Sequence, residues 1–219
     1  MSRLRLLWDS SVGKKVIMAT TGLIWLAYLI THVVANLLVF QGPVRINAYS
    51  AFLHGTGGAL WVPRLVLIVA LLLHITAAVQ LAARSQEARP TRYVAGRKPQ
   101  VSTLASRTMR WGGALILIFL VFHILHFTVG TAHPDFVAGD PYHNVASGFH
   151  NPLVVGFYLI AMAAVGLHLY HGVWSSGRSL GMSPPSPRPL RRSIALVLAL
   201  LIWLGFTIIP LAAYTGVIR

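Results

Sequence analysis

Long apolar stretches alternate with polar segments along the whole chain. Each stretch is close to the ~20 residues that an α-helix needs to cross a hydrocarbon layer of ~30 Å. None of these stretches contains Lys, Arg, Asp or Glu. The pattern predicts an all-α membrane protein, a bundle of five spanning helices in which residues 1–219 form one transmembrane domain. The predicted spans are approximately Val16–Phe40, Leu65–Ala83, Trp111–Thr131, Leu153–Ser176 and Ser193–Tyr214.

The composition agrees with a membrane protein. Of the 219 residues, 56% are hydrophobic and only 10% are charged, and the mean hydropathy is +0.69. A soluble globule of this composition would expose too much apolar surface. Cys is absent, which excludes disulfides and Cys-held iron–sulfur clusters within this chain. The formal net charge of +14 does not require a nucleic acid partner, because the basic residues flank the predicted spans.

The basic residues predict an orientation. Of the 18 Lys and Arg residues, four precede the first span, seven separate the second from the third, and four separate the fourth from the fifth. These segments all lie on the same side of the membrane. By the positive-inside rule we expect a cytoplasmic amino terminus and an external carboxyl terminus. The expected location is the bacterial cytoplasmic (inner) membrane, with multiple passes.

Four of the predicted spans carry histidine at membrane depth. An imidazole in hydrocarbon is unfavourable without a partner, so ionisable residues inside spans are candidates for a functional site. The first two spans carry one each, and the third and fourth carry two each. These histidines are His32, His74, His123, His126, His168 and His171.

The distance of each histidine from the nearest cytoplasmic charge predicts its depth. At ~1.5 Å of rise per residue, His74 and His168 lie ten residues, or ~15 Å, from that charge. His32, His123 and His126 lie 16 or 17 residues from theirs, at ~24–25 Å. Two imidazoles at one depth can bind a haem from both faces, so two levels indicate two stacked haems. This depth estimate does not separate His123 from His126.

Histidines within membrane spans have uses other than haem ligation. A single histidine in a span could form an interhelical hydrogen bond or take part in a proton relay. A purely structural role gives no reason for the histidines to form two pairs, each at a single membrane depth. Zinc or copper is a weaker alternative, because the histidines are spread over four helices and no span contains a carboxylate or thiolate.

Four sequence segments carry a family resemblance. They resemble the first four helices of the di-haem, single-chain cytochrome b anchor of succinate:quinone oxidoreductases, the b558-type cytochrome b subunit of succinate dehydrogenase or fumarate reductase. The resemblance runs from about Ser10 to Tyr214 and rests mainly on the five-span order with a matching histidine in each of the first four helices. The segments are TGLIWLAYLITHVVANL, LLLHITAAVQLAA, LIFLVFHILHF and VGLHLYHGVWSSGRSLG.

The resemblance implies a set of haem ligands. It places the four axial ligands at His32, His74, His123 and His168, and it pairs the first helix with the third and the second with the fourth. The expected iron ligands are therefore His32 with His123 and His74 with His168. His126 and His171 each follow a proposed ligand by three residues and share roughly its helix face, so they are the less favoured substitutes.

The resemblance also implies a role in electron transport. Family members lie beneath a flavoprotein subunit and an iron–sulfur subunit and pass electrons between succinate and quinone through two b haems. This chain would then supply the membrane anchor, the haem ligands and contacts with lipid and quinone, without oxidising succinate itself. The sequence leaves open which quinone is used and whether the complex forms a higher oligomer.

One position departs from the fumarate-reducing relatives. In those relatives a glutamate two residues before the fourth-helix ligand serves a transmembrane proton path, whereas this chain has Gly166 there. The four acidic residues of the chain all lie outside the predicted spans. We therefore expect electron transfer that is not compensated by proton transfer, which suits succinate oxidation by a low-potential quinone such as menaquinone.

Candidates for quinone protonation lie in the external loops, where ordinary solvated loop residues are the alternative interpretation. They are His54, His133, Asp135, Asp140, His143 and His150. Two further functions remain open at this point. One is a haem b subunit of another membrane complex, of the hydrogenase or formate dehydrogenase type, and the other is a haem-free transporter.

Overall fold

The computed structural model describes Arg5 and residues 8–88, 103–182 and 189–219. Within these residues every regular element is helical. Five long helices are α1 (Ser11–Asn36), α3 (Trp61–Glu87), α4 (Leu104–Ile124), α6 (Pro152–Ser179) and α7 (Pro189–Tyr214), and two short ones are α2 (Pro43–Gly55) and α5 (Pro141–Gly148). A 3₁₀ turn (Leu37–Gln41) extends α1, another (Gly57–Leu60) precedes α3, and a π-helical turn (Leu125–Val129) extends α4.

The predicted five-span, all-α fold is confirmed. The helices long and apolar enough to cross a membrane are Ser11–Gln41, Gly57–Glu87, Leu104–Val129, Pro152–Ser179 and Leu190–Tyr214. Most of them run past the predicted ends, because the prediction stopped at the first charge or polar residue. Polar residues cap the helices instead: Ser10 Oγ accepts from the Gly13 N–H at 2.8 Å, and Thr103 Oγ1 accepts from the Ser106 N–H at 3.2 Å.

Helix α6 is central in the packing. It contacts α1, α4 and α7, and α1 additionally contacts α3 and α7. Helix α3 packs on α1, and α4 packs on α6. The buried core is richest in α6 and α7, where small residues such as Ala161 and Ala195 are completely buried and allow close helix approach. Helix α7 continues through Pro210 to Tyr214.

Large apolar side chains cover the outside of the bundle. On α3, Leu72 is 60% exposed, and on α7, Leu201 is 63% exposed. Such surfaces are unfavourable in water but match lipid chains, which are as apolar as Leu. The exposed faces of the long helices therefore agree with a membrane environment.

At the amino-terminal end of the bundle, α1 and α3 are tied together. The Arg84 guanidinium donates to the Asp9 carbonyl at 2.7 Å. Lys14, which is only 2% exposed, donates to the Trp8 carbonyl and lies over the Trp8 ring, 4.7 Å from its centre. Of these contacts, the Arg84–Asp9 hydrogen bond joins α3 to the segment that precedes α1, and so helps to set the height of His74 beside α1.

The opposite end, here called the short-helix end, is closed by α2, α5 and the loop before α5. Asp140 caps α5 by accepting from the His143 N–H at 3.0 Å, and it also accepts from the Asn47 side chain of α2 at 2.9 Å. The hydrogen bond from the His143 N–H, followed by that from Asn47, lowers the pKa of Asp140 below its usual value. Buried Asn144 bonds both the N–H and the carbonyl of Val137 at 2.8 Å.

Candidate functional site

The His74 and His168 rings face each other between α3 and α6. Their centres are 6.2 Å apart and their planes are tilted by 53°. His74 Nδ1 lies 3.0 Å from the Met18 carbonyl of α1 and 3.2 Å from Thr21 Oγ1. A carbonyl can only accept, so His74 carries its proton on Nδ1 and leaves Nε2 with a free lone pair. This is the arrangement that a metal-binding imidazole needs.

The surroundings of this first pair are closely fitted. A Cβ atom at Gly22 would lie 3.3 Å from His74 Cε1, so a side chain at this position would press on the ring. His168 Nδ1 is buried and has no hydrogen-bond partner within the described residues. A cavity of about 260 Å³ adjoins His168 between α4 and α6, with Gly112, Leu115 and Ala164 in its lining.

The His32 and His123 rings form a second facing pair, between α1 and α4. Their centres are 6.0 Å apart and their planes are nearly perpendicular, at 85°. The Tyr158 hydroxyl lies 3.3 Å from His123 Nδ1. His32 Nδ1 has two polar neighbours, the Asn36 side-chain nitrogen at 3.3 Å and the Tyr28 hydroxyl at 3.4 Å. Aromatic rings complete the surroundings: Phe119 stacks on His123 and Phe206 lies 5.6 Å from His32.

Both ring separations match two imidazoles on opposite sides of one metal ion. On each side of the metal, a metal–nitrogen bond of ~2 Å and a further ~1.1 Å from nitrogen to ring centre add up to ~3.1 Å, so the two ring centres lie ~6 Å apart. The observed values are 6.0 and 6.2 Å. Among the residues that the structure describes, no three His, Asp or Glu side chains come together in a group that could hold a metal ion. The separation in each pair is the one that two axial imidazoles on either face of a planar macrocycle would need.

The two pairs lie at different heights in the bundle. On α1, Met18 beside His74 precedes His32 by 14 residues, and on α6, Tyr158 beside His123 precedes His168 by ten. At ~1.5 Å per residue the pairs are ~15–20 Å apart along the helices.

This separation exceeds the ~10 Å that the charges predicted. The depth prediction assumed that Arg84 and Lys15 lie at the same height in the membrane. In the structure Arg84 instead reaches Asp9, which precedes Lys15 by six residues.

The structure distinguishes the two histidines of the third span. His126 is only 1% exposed, and its ring stacks on His133 with centres 4.9 Å apart. It lies in the π-helical turn Leu125–Val129, and its Nδ1 contacts the same Tyr158 hydroxyl as His123 Nδ1. The ring that faces His32 belongs to His123. Irregular turns of this kind are frequent near functional sites in helices.

His171 of the fourth span is half-buried, and its ring lies 6.0 Å from that of Trp174. It lies one turn beyond His168, toward the end of the bundle where α6 finishes. The ring that faces His74 belongs to His168.

The loop candidates lie at the short-helix end but do not form one site. His54 and His150 are exposed, and His143 Nε2 lies 2.9 Å from a carboxylate oxygen of Asp135. His133 is buried and fully bonded: its Nε2 lies 2.9 Å from the Asn144 carbonyl, and its Nδ1 accepts from the Asp135 N–H at 3.0 Å.

Gly166 has a packing role. A Cβ at this position would lie 3.4 Å from three atoms of Trp203, so α6 and α7 are in contact here. A separation of 3.4 Å is an ordinary van der Waals distance, so this contact does not by itself account for the absence of an acidic side chain at position 166.

Sequence reasoning missed the groups that hold the histidines. Tyr158 is 5% exposed and bonds His123, yet no motif marks it. A signal was present, because a tyrosine inside an apolar span needs a partner for its hydroxyl. The Met18 carbonyl has no signature in the sequence at all.

Comparison with known proteins gives one match. The sequence profile of a family described as succinate dehydrogenase/fumarate reductase transmembrane subunit matches residues 83–208. The matched part is more than half of the chain and contains His123 and His168, whereas His32 and His74 precede it. No curated protein matches the chain, and no solved structure matches it.

Proposed function

The chain belongs to the succinate dehydrogenase/fumarate reductase transmembrane subunit family, and from this we propose that it is the di-haem cytochrome b anchor of a succinate:quinone oxidoreductase. In this role it passes electrons between a partner iron–sulfur subunit and membrane quinone. It is an electron-transfer subunit, and succinate is oxidised by the partner flavoprotein subunit.

The observation that carries this proposal is the presence of two facing histidine pairs at two heights. His74 with His168 would hold one haem b, and His32 with His123 would hold the other. Bound haem supplies a carrier that takes up and releases one electron at a time. The chain orients three of the four imidazoles, those of His32, His74 and His123, through contacts at their Nδ1 atoms. Apolar helices surround all four rings and exclude water.

The geometry favours His123 over His126 as a ligand. His123 lies 6.0 Å from His32, whereas His126 packs against His133 and Phe149. In the fourth span, His168 faces His74, and His171 lies beside Trp174. His171 remains available for a contact with a haem propionate or with lipid headgroups.

We further propose that the amino-terminal end is cytoplasmic and that menaquinone is reduced near the short-helix end, outside. The five spans contain no acidic residue except Glu87, at the very end of α3, so the chain has no carboxylate relay across the membrane. An electron that moves outward is then driven by the membrane potential, which contributes ~2.3 kcal/mol per charge per 100 mV. Electron transfer assisted in this way suits a quinone of low reduction potential, such as menaquinone.

The direct test is a reduced-minus-oxidised absorption spectrum of the purified complex, with the haem content measured per copy of this chain. The expected result is a b-type spectrum and two haems per chain. Absence of haem would refute the proposal and favour a haem-free transporter. Haem without a co-purifying flavoprotein would instead point to a hydrogenase or formate dehydrogenase type of complex.

A further inference from the structure

The Tyr158 hydroxyl lies between two histidines of the third span. It is 3.3 Å from His123 Nδ1 and 3.0 Å from His126 Nδ1. The Tyr158 ring is held edge-on by Phe119 and Phe149, at centre distances of 4.9 and 4.8 Å. The hydroxyl is therefore fixed in place, and its one proton can be donated to only one of the two imidazoles.

The direction of both hydrogen bonds follows from the ligand role of His123, so this step rests on the proposed function. An imidazole that binds iron through Nε2 carries its proton on Nδ1. His123 then donates to the Tyr158 oxygen. The Tyr158 proton is left for His126 Nδ1, which must accept it, and His126 carries its own proton on Nε2.

The neighbouring His133 is fixed independently. Its Nδ1 accepts from the Asp135 N–H, so its proton is on Nε2 and is donated to the Asn144 carbonyl. His126 stacks on this ring, and Gly148 packs closely against both. A Cβ at Gly148 would lie 2.8 Å from His133 Nε2 and 3.2 Å from His126 Cε1. These contacts hold the His126 ring where its Nδ1 atom can accept a hydrogen bond from the Tyr158 hydroxyl.

We propose that Tyr158 is a positioning residue that accepts the Nδ1 proton of His123 while donating its own proton to His126. Donation by Tyr158 to His126 makes its oxygen a better acceptor, because linked hydrogen bonds polarise one another. An acceptor on Nδ1 fixes the ring orientation of His123 and raises its basicity. A more basic ligand stabilises ferric iron, so the Tyr158–His126 chain lowers the reduction potential of the haem held by His32 and His123.

The test is a redox titration of both haems in the assembled complex in membranes, with Tyr158→Phe as the main variant. The expected result is a positive shift in the midpoint potential of one haem, with the other unchanged and both retained. Tyr170→Phe is the matched control, because Tyr170 lies on the same helix and its hydroxyl forms no hydrogen bond within the described residues. This control should move neither potential.

Two substitutions of His126 provide a second test should Tyr158→Phe lose haem. His126→Asn keeps an acceptor near the former Nδ1 position, so the potentials should stay close to those of the unaltered protein. His126→Leu removes the acceptor and should shift the same single haem in the positive direction, by less than Tyr158→Phe.

The outcomes separate the two claims. If the unaltered complex contains no haem, the proposed function fails. If it contains two haems and Tyr158→Phe changes neither potential, or shifts both equally, the role of Tyr158 is refuted while the proposed function stands. Equal shifts for His126→Asn and His126→Leu would also refute it.

Discussion

The His74–His168 and His32–His123 pairs have nearly the same ring separation, 6.2 and 6.0 Å, but lie in different surroundings. In the first pair, His74 Nδ1 is held by a backbone carbonyl. In the second pair, both Nδ1 atoms lie near tyrosine hydroxyls. The ring planes also differ, with angles of 53° and 85°.

This comparison shows how one chain can give two chemically identical ligand sets different properties. A backbone carbonyl is set by helix packing, so the first pair depends on how α3 lies on α1. A hydroxyl can be removed by a single substitution, so the second pair can be adjusted by side chains. Hydrogen bonding around the ligands is one of the means by which a protein sets a haem potential. We expect the two haems to have different potentials.

The largest expected effect comes from removing one ligand. His74→Ala should lower the haem content from two per chain to about one, because the remaining His168 has no partner on the other face. His123→Ala should remove the other haem and leave the first. Haem per chain in the purified complex is the measurement, and the exposed His54→Ala is the control. Retention of both haems in either variant would contradict the pairing.

A smaller loss is expected from crowding one pair without touching its ligands. Gly22→Val places branched atoms against His74, because even a Cβ atom at Gly22 would lie 3.3 Å from His74 Cε1, and a close-packed interior has no room for more. The haem of the His74–His168 pair should be partly lost, while that of His32–His123 stays. Gly156→Val is the matched control, since a Cβ there meets nothing within 4 Å. Equal loss of both haems would show a general folding defect.

The long helices could be predicted because their signal is strong and local. A charge-free stretch of ~20 apolar residues has few alternatives to a membrane span. The short helices α2 and α5 were not predicted, because they have only 13 and eight residues of mixed polarity. They form because Pro43 and Pro141 suit a first helical turn and because both helices pack at the short-helix end.

The site could be predicted only in part. Six histidines stand out in apolar spans, and their spacing from the charges suggested two levels. The spacing could not separate His123 from His126, because a regular helix would place both on roughly one face. The structure keeps both on one side of the helix, because both Nδ1 atoms contact the Tyr158 hydroxyl. Only the position of His32, whose ring lies 6.0 Å from that of His123, separates them, and the sequence does not show it. The ligand roles remain predictions that the haem measurements will test.

The height difference between the pairs leads to a prediction about energy coupling. If electrons pass outward from the His74–His168 pair to the His32–His123 pair, the membrane potential assists them, by ~2.3 kcal/mol per charge per 100 mV across the full membrane. In sealed, energised vesicles an uncoupler should lower succinate:menaquinone activity severalfold. The same complex in detergent should not respond. Activity in energised vesicles that is insensitive to the uncoupler would contradict uncompensated transfer.

The smallest expected effect concerns the short-helix end, which lies next to the His32–His123 pair only. Asp140→Ala removes the cap of α5 and should lower stability by about 1 kcal/mol, a typical value for an N-cap. Asp140→Asn is the matched control, because its amide oxygen can still accept from the His143 N–H. Thermal unfolding followed by haem absorbance measures both variants.

The pH dependence of this cap has a definite sign. The pKa of Asp140 is lowered in the folded chain, mainly by the His143 N–H, so its charge contributes stability above the ordinary carboxyl pKa of ~4. That contribution is lost as the pH falls through the lowered value. The difference between the unaltered protein and Asp140→Ala should therefore be constant near neutral pH and shrink only below pH ~4. A difference that shrinks between pH ~8 and ~6 would assign the effect to a histidine at this end of the bundle.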